Sequence, residues 1–94
     1  MGIEYKIVVD LPSDDIAEKI LGRAGGGAGR KGASGFDFRS PGNSGQMPDA
    51  IASVEPYGFY FCSFSGIVGL SAEVLGFIVA AAAAYGKVLV EDLE

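Results

Sequence analysis

The sequence predicts an α+β fold in which a four-stranded antiparallel sheet carries two helices on one of its faces. Three observations lead to this prediction. Periodic segments follow one another in the order strand, helix, strand, strand, helix, strand. A proline-containing turn joins the two middle strands into a hairpin. The chain has 94 residues, 49% of them apolar, which suffices for one small core. We therefore expect residues 1–94 to form a single domain.

The first two elements are a strand and a helix. Apolar side chains alternate with other residues from Ile3 to Val9, which is the period of a strand with one buried face. Ser13 is suited to cap a helix, and the two carboxylates that follow it favour the positive end of the helix. Apolar residues then recur at helical spacing: Ile16, Ala17, Ile20 and Leu21. We expect this helix to stop near Gly22.

Residues 22–48 are predicted to form a long, flexible, glycine-rich basic loop between the first helix and the second strand. Nine of these 27 residues are glycine, so the segment buries too little apolar surface to offset the entropy of ordering. Four cationic side chains against Asp37 alone give the segment a net charge of +3. The short motif Phe36-Asp37-Phe38 is able to form a brief extended stretch or to dock its two rings on the domain.

Residues 50–54 and 58–64 are predicted to pair as a hairpin. The turn Glu55-Pro56-Tyr57-Gly58 has proline second and glycine fourth, as a type I turn prefers. This turn fixes two core pairs and two pairs on the opposite, amphipathic face. The core pairs are Val54 with Phe59 and Ala52 with Phe61, and the amphipathic pairs are Ser53 with Tyr60 and Ile51 with Cys62. A register slip of one residue is the alternative, because type I geometry matches strand twist less well than the primed turns.

The second helix and a last strand complete the pattern. Ser71 is placed to cap the helix, the apolar run continues to Tyr85, and Gly86 is the residue type that most easily ends it. Residues 87–92 are then predicted to form the last strand. This chain order indicates the ferredoxin-like architecture, a fold that serves many unrelated functions.

The second helix is apolar on all sides. It spans about 18 Å, well short of the roughly 30 Å of a membrane interior, so we expect a buried helix and no membrane association. A helix of this kind needs cover on two sides. The sheet provides one, and Phe77 lies on the side that needs the other. That cover is either another part of this chain or a second copy, so a homodimer is expected as readily as intrachain cover.

Composition excludes several classes of function. The net charge is −5, which argues against general attraction to nucleic acid or anionic lipid. Cys62 is the only cysteine and histidine is absent, so an intrachain disulfide, a cysteine-based zinc site and histidine catalysis are excluded. We expect a non-enzymatic cytoplasmic protein without metal or cofactor. The terminal Met1-Gly2 and Leu93-Glu94 are consistent with cloning remnants.

Residues 57–64, Tyr-Gly-Phe-Tyr-Phe-Cys-Ser-Phe, resemble the octamer on the third strand of RNA-recognition-motif domains. The resemblance implies that Phe59 and Phe61 are exposed platforms on which bases stack. Tyr57 stands where that family has a basic residue, and Tyr60 where it has a small one. The alternative function is therefore binding of nucleic acid or another anionic ligand. The residues that would contribute the positive charge are Arg23, Arg30, Lys31 and Arg39.

The leading hypothesis is a protein-binding module that works by contact with a partner protein of unknown identity. Its predicted binding residues are the amphipathic sheet positions and one position on the second helix: Ile51, Ser53, Tyr60, Cys62 and Phe77. Aromatic side chains suit such surfaces because they provide large contact area at low entropic cost. One concrete form is a small acidic inhibitor or immunity-type protein, since opposite charge speeds association with a basic partner.

Overall fold

A computed structural model describes residues 2–32 and 35–93, which form one antiparallel sheet and two helices. The strands are β1 (Ile3–Val8), β2 (Gly29–Gly32), β3 (Gly35–Phe38), β4 (Ala50–Glu55), β5 (Gly58–Ser63) and β6 (Leu89–Asp92). The helices are α1 (Asp14–Gly27) and α2 (Gly69–Ala83). The strand order across the sheet is β2-β3-β4-β5-β1-β6. The α+β class and the antiparallel sheet are thus confirmed. Met1 and Glu94, two of the terminal residues considered above as cloning remnants, lie outside the described residues.

The sheet has six strands, so the prediction of four was wrong. The additional strands, β2 and β3, lie within the segment predicted as a loop. β3 forms because Phe36 and Phe38 are buried in the core on its inner side. Gly29 on β2 permits a close approach to one of these rings, since a Cβ there would lie 2.6 Å from Cε1 of Phe38. The glycines of this segment therefore serve packing as well as turning, and its flexibility stays a prediction.

The predicted hairpin register is confirmed. Val54 pairs with Phe59, and Ala52 pairs with Phe61. Pro56 and Tyr57 form the loop between β4 and β5, as the turn sequence indicated. A fixed turn sets the register of both strands, and the register decides which side chains enter the core.

The core lies between the helices and the inner side of the sheet. Phe59 and Phe61 are fully buried there, with Ile7 from β1. The helices contribute the buried residues Ala17, Ile20, Leu21, Val74, Ile78 and Ala82. These strand and helix residues form one contiguous cluster, so the opposite side of the sheet lacks a helical cover within the part of the chain described here.

The N-terminal cap of α1 is the predicted residue, and that of α2 is not. Ser13 caps α1, because its Oγ accepts a hydrogen bond from the backbone N–H of Ile16 at 3.3 Å. Helical geometry is interrupted at Ala24, shortly after the predicted stop at Gly22, although α1 extends to Gly27. α2 begins at Gly69 with Val68 at its N-cap position, so the prediction of Ser71 as the cap was wrong.

Ser71 takes part in a buried hydroxyl cluster instead. Its Oγ donates to the carbonyl oxygen of Asp49 at 3.2 Å and lies 2.9 Å from Oγ of Ser63. The Ser63 hydroxyl is also 2.6 Å from the carbonyl oxygen of Gly66. The cluster ties the start of α2 to the end of β5 and to the residue before β4.

Across the described residues, neither helix is both long enough and apolar enough to cross a membrane.

Candidate protein-binding face

The side of the sheet opposite the core presents a mixed polar and apolar surface. Strand alternation places one set of side chains on this side because their neighbours along each strand point into the core. We call this set the open sheet face. It includes Glu4 and Lys6 on β1, Arg30 on β2, Asp37 on β3, Ile51 and Ser53 on β4, Tyr60 and Cys62 on β5, and Glu91 on β6.

Two cross-strand rows organise the open sheet face. In the first row Asp37 pairs with Ile51, Ile51 with Cys62, and Cys62 with Glu4. In the second row Ser53 pairs with Tyr60, and Tyr60 with Lys6. Directly opposed side chains in antiparallel strands lie within contact distance. Four predicted binding residues, Ile51, Ser53, Tyr60 and Cys62, therefore share one surface.

Tyr60 is fixed at the centre of this surface by a hydrogen bond. Its Oη donates to Oε1 of Glu4 at 2.7 Å. Burial raises the pKa of Tyr60 far above its ordinary value, and the bond to Glu4 raises it further. The phenol therefore remains protonated at neutral pH and holds its ring in one orientation, half-exposed.

Cys62 lies on the open sheet face but is hardly accessible. Its exposed fraction is 5%, and Gly2 lies so close that a Cβ there would be 2.6 Å from the Cys62 Sγ. Burial raises the pKa of the Cys62 thiol, so the nucleophilic thiolate is disfavoured at neutral pH. Because it is buried, the Cys62 side chain contributes little contact area to a partner.

A shallow cavity of about 150 Å³ opens on this face beside Tyr60. Its lining includes Gly35, Asp37, Ile51 and Ser53. A neighbouring cavity of about 260 Å³, which shares Ser53, is lined by the charged side chains of Glu18, Lys31 and Glu55. The two depressions place an apolar contact area next to a charged rim.

Phe77 lies elsewhere, between the helices. It is half-buried and lines a groove of about 330 Å³ with Ile16 and Ile20 of α1. Lys19 and Arg23 stand at the same groove. α1 therefore provides part of the cover that the apolar surface of α2 requires, and Phe77 does not share a surface with the other predicted binding residues.

The four cations of the alternative hypothesis do not converge on one site. Arg23 belongs to the helix groove, and Lys31 forms an ion pair with Glu18, with 2.5 Å between Nζ and Oε1. The Arg39 guanidinium donates to the carbonyl oxygens of Gly45, Gln46 and Met47, which fixes the loop after β3. Arg30 stands across from Asp37 in the β2–β3 pairing. Lys31 and Arg39 are thus engaged by local partners, and Arg30 lies opposite a carboxylate.

The stacking surface implied by the RNA-recognition-motif resemblance is absent from the open sheet face. Phe59 and Phe61 are fully buried among the helices, and this agrees with the hairpin register predicted from the turn. Bases cannot stack on rings that have no exposed area.

Several residues of the open sheet face were missed by the sequence analysis, among them Glu4, Lys6 and Asp37. Glu4 and Lys6 follow from the alternation of β1, which already assigned Ile7 and its apolar neighbours to the core. The position of Asp37 on this face was not predictable, because β3 lies in a glycine-rich segment without a longer periodic pattern. The described residues hold no group of three or more side chains suited to bind a metal ion.

Comparison of the chain with protein-family models, with curated proteins and with solved structures finds no match.

Proposed function

We propose that this chain is a small non-enzymatic module whose open sheet face binds a basic partner protein. One observation carries the proposal: Ile51 and Tyr60 are half-exposed at the centre of a face that no helix of the described residues covers, and the carboxylates of Glu4 and Asp37 are exposed beside them. A rigid tyrosine beside an aliphatic side chain provides contact area at low entropic cost. Glu4 accepts the Tyr60 hydrogen bond and Asp37 lies opposite Arg30, so attraction of a positively charged surface is supported by the acidic balance of the whole chain and not by these two groups alone.

The concrete form we propose is an acidic inhibitor of the immunity type, present in the cytoplasm. The net charge of −5 supports fast association with a basic protein. The order β4-β5-β1-β6, with the helices against the inner side, supports a ferredoxin-like classification in which β2 and β3 extend one edge. Cys62 and Phe77 contribute to stability in this proposal and not to the partner contact.

The surroundings of the candidate nucleophiles support a protein that acts by binding a partner and not by catalysis. The sequence lacks histidine, the commonest general base. The Ser63 and Ser71 hydroxyls are buried and hydrogen-bonded to each other. The Cys62 thiol is buried with a raised pKa.

Capture of partners from the source cell tests the proposal, provided that variants of the face are compared with matched controls. Ile51→Lys adds a charge at the centre of the face, and Val68→Lys adds it at an exposed apolar residue outside the sheet. Asp37→Lys reverses an exposed charge on the face, and Asp10→Lys does so in the loop after β1. We expect a basic protein to bind the wild type and both controls, and to bind the two face variants at least about tenfold more weakly.

Equal capture by face and control variants would contradict the proposal. Titration with single-stranded RNA at low salt distinguishes the alternative function, nucleic-acid binding, from protein binding. Salt-sensitive RNA binding that is lost in Arg30→Ala and Lys31→Ala would favour nucleic-acid recognition over protein binding.

A further inference from the structure

The β6 edge of the sheet is open, and the first half of the strand is apolar. β6 pairs with β1 and ends the sheet on its other side. Leu89, Val90 and the adjoining Leu93 are 50%, 40% and 46% exposed. The opposite edge strand, β2, exposes Arg30 and Lys31, and charged side chains of this kind discourage pairing with another chain. Leu89 and Val90 carry no such charge, and the two carboxylates of β6 lie in its second half.

The pairing with β1 determines which backbone groups face this open edge. The N–H of Leu93 donates to the carbonyl oxygen of Glu4 at 3.0 Å. In an antiparallel pair, alternate residues direct their N–H and C=O groups to the same neighbour. Residues 89 and 91 therefore bond to β1 as Leu93 does, and the backbone groups of Val90 point to the open edge. Pairing about Leu89 also requires Val88, which directly precedes β6, to continue the strand.

The side chains along this edge are self-complementary. The segment Lys87-Val88-Leu89-Val90-Glu91 has leucine at its centre, valine on each side, and opposite charges at its two ends. When two such segments pair antiparallel about Leu89, leucine faces leucine, Val88 faces Val90, and Lys87 faces Glu91 on both sides. Each of these cross-strand pairs is favourable.

The backbone selects this register over its neighbours. In an antiparallel pair, two opposed residues exchange both N–H···O bonds only when their backbone groups point to the shared edge. In the register centred on Leu89 these residues are Val90 and Val88, with Val88 continuing the strand. The next allowed register along the strand is centred on Val90. It would place Leu89 against Glu91 and leave Lys87 without an acidic partner. Charge and hydrophobic matching therefore favour the pairing about Leu89.

We infer that two copies of this chain associate through antiparallel pairing of their β6 edges, centred on Leu89, to form a continuous twelve-stranded sheet. The two-fold axis of such a pair is perpendicular to the sheet, so both helix layers lie on one side and both open sheet faces on the other. The inference is independent of the proposed function, because β6 pairing uses a strand edge and partner binding uses a sheet surface.

A charge-exchange experiment tests the register directly. Lys87→Glu places like charges opposite each other at both ends of the paired segment, and Glu91→Lys does the same with the opposite sign. We expect a wild-type dimer in analytical ultracentrifugation and an increase of about tenfold in the dimer dissociation constant for each single variant. An equimolar mixture of the two variants restores both opposite-charge pairs, so we expect it to form a heterodimer. Two unchanged dissociation constants, or a mixture no tighter than its components, would overturn the proposed register.

Two further variants test the edge itself. Val90→Pro removes an N–H group that faces the edge, and leaves the bonds from residues 89 and 91 to β1 in place. We expect a folded monomer, with folding checked by circular dichroism. Leu89→Cys brings two introduced thiols together at the two-fold axis. Directly opposed residues of a non-hydrogen-bonded pair have a Cα–Cα spacing that a disulfide can bridge. Mild oxidation by oxidised glutathione is expected to cross-link this variant and to leave the exposed, off-axis control Leu93→Cys uncross-linked.

Three outcomes would overturn the inference. The first is a wild type that remains monomeric at millimolar concentration. The second is a dimer that persists in folded Val90→Pro, which would assign self-association to another surface such as the groove beside Phe77. The third is equal cross-linking of Leu89→Cys and Leu93→Cys.

Discussion

Asp49 shows how one side chain organises a loop that is poor in apolar residues. Its carboxylate accepts hydrogen bonds from Nδ2 of Asn43 at 2.5 Å and from the N–H of Ser40 at 3.2 Å. Its own backbone N–H donates to the carbonyl oxygen of Phe38, and its carbonyl oxygen accepts from Ser71. The same residue therefore closes the loop after β3 and anchors the buried hydroxyl cluster.

The Asp49 carboxyl makes stability depend on pH. The hydrogen bond from Asn43 lowers the pKa of Asp49 from its ordinary 3.8, and this effect exceeds the opposing effect of burial. The ionised form therefore stabilises the fold fully above pH 3.8, and this contribution is lost as the pH falls through the lower folded-state pKa.

We accordingly expect Asp49→Asn to be roughly 1 kcal/mol less stable than the wild type at neutral pH, because charge-assisted hydrogen bonds are weakened. Below pH 3.8 the difference should shrink progressively, and it disappears only below the lowered folded-state pKa, where the wild-type carboxyl is also neutral. Urea denaturation between about pH 5 and about pH 2.5 measures the two free energies of unfolding. Asp10→Asn, in an exposed loop position, is the control. Parallel pH profiles of Asp49→Asn and the wild type would contradict this assignment.

Among the elements, the β4–β5 hairpin was predictable and the β2–β3 pair was not, for a physical reason. Pro56 and Gly58 restrict the turn enough to fix which residues oppose each other, so the register followed from local sequence. β3 depends on the burial of Phe36 and Phe38 by distant elements, including the close approach of Gly29. A glycine-rich composition indicates mobility when only local terms are considered.

The N-terminus of the second helix also depends on a residue distant in the sequence, and was therefore not predictable. Ser71 has the residue type of a cap, but its hydroxyl bonds to the carbonyl oxygen of Asp49, which is 22 positions away in the sequence. The open sheet face was partly predictable because the hairpin register and the alternation of β1 place most of its residues. Asp37 required knowledge of β3.

Two glycines are expected to respond in opposite ways to alanine. Gly58 begins β5 with φ of +140°, and a Cβ there would clash with the carbonyl oxygen of Ile7. Gly76 lies exposed inside α2, and a Cβ there would meet no atom within 4 Å. We expect Gly58→Ala to lower the free energy of unfolding by about 2 to 4 kcal/mol, because the hairpin must shift away from β1.

Gly76→Ala is expected to raise the free energy of unfolding by about 0.5 to 1 kcal/mol, because alanine has the higher helix propensity. Urea denaturation of both variants at neutral pH provides the comparison. A neutral Gly58→Ala would mean that the start of β5 adapts easily, and a destabilising Gly76→Ala would mean that this side of α2 is covered in solution.

At the scale of the whole molecule, burial is unevenly distributed across the sheet. β5 and β1 lie between other strands and contribute the buried Phe59, Phe61 and Ile7. β2 forms one edge, and its residues are exposed or half-buried. Since opening free energies follow local burial, the fold should come apart from its edges before its centre.

Amide hydrogen exchange measured residue by residue would test this gradient. We expect the slowest exchange in β5 and β1, at rates set by global unfolding, and exchange at least about a hundredfold faster in β2 through local opening. β3 should fall between them, because Phe36 and Phe38 anchor it to the core while β2 is its outer neighbour. This ordering would also decide whether residues 22–48 behave as a flexible segment: protection in β2 equal to that in β5 would show that the glycine-rich addition unfolds only with the rest of the domain. Repeating the measurement on monomeric Val90→Pro would separate protection intrinsic to the fold from any that pairing of β6 adds.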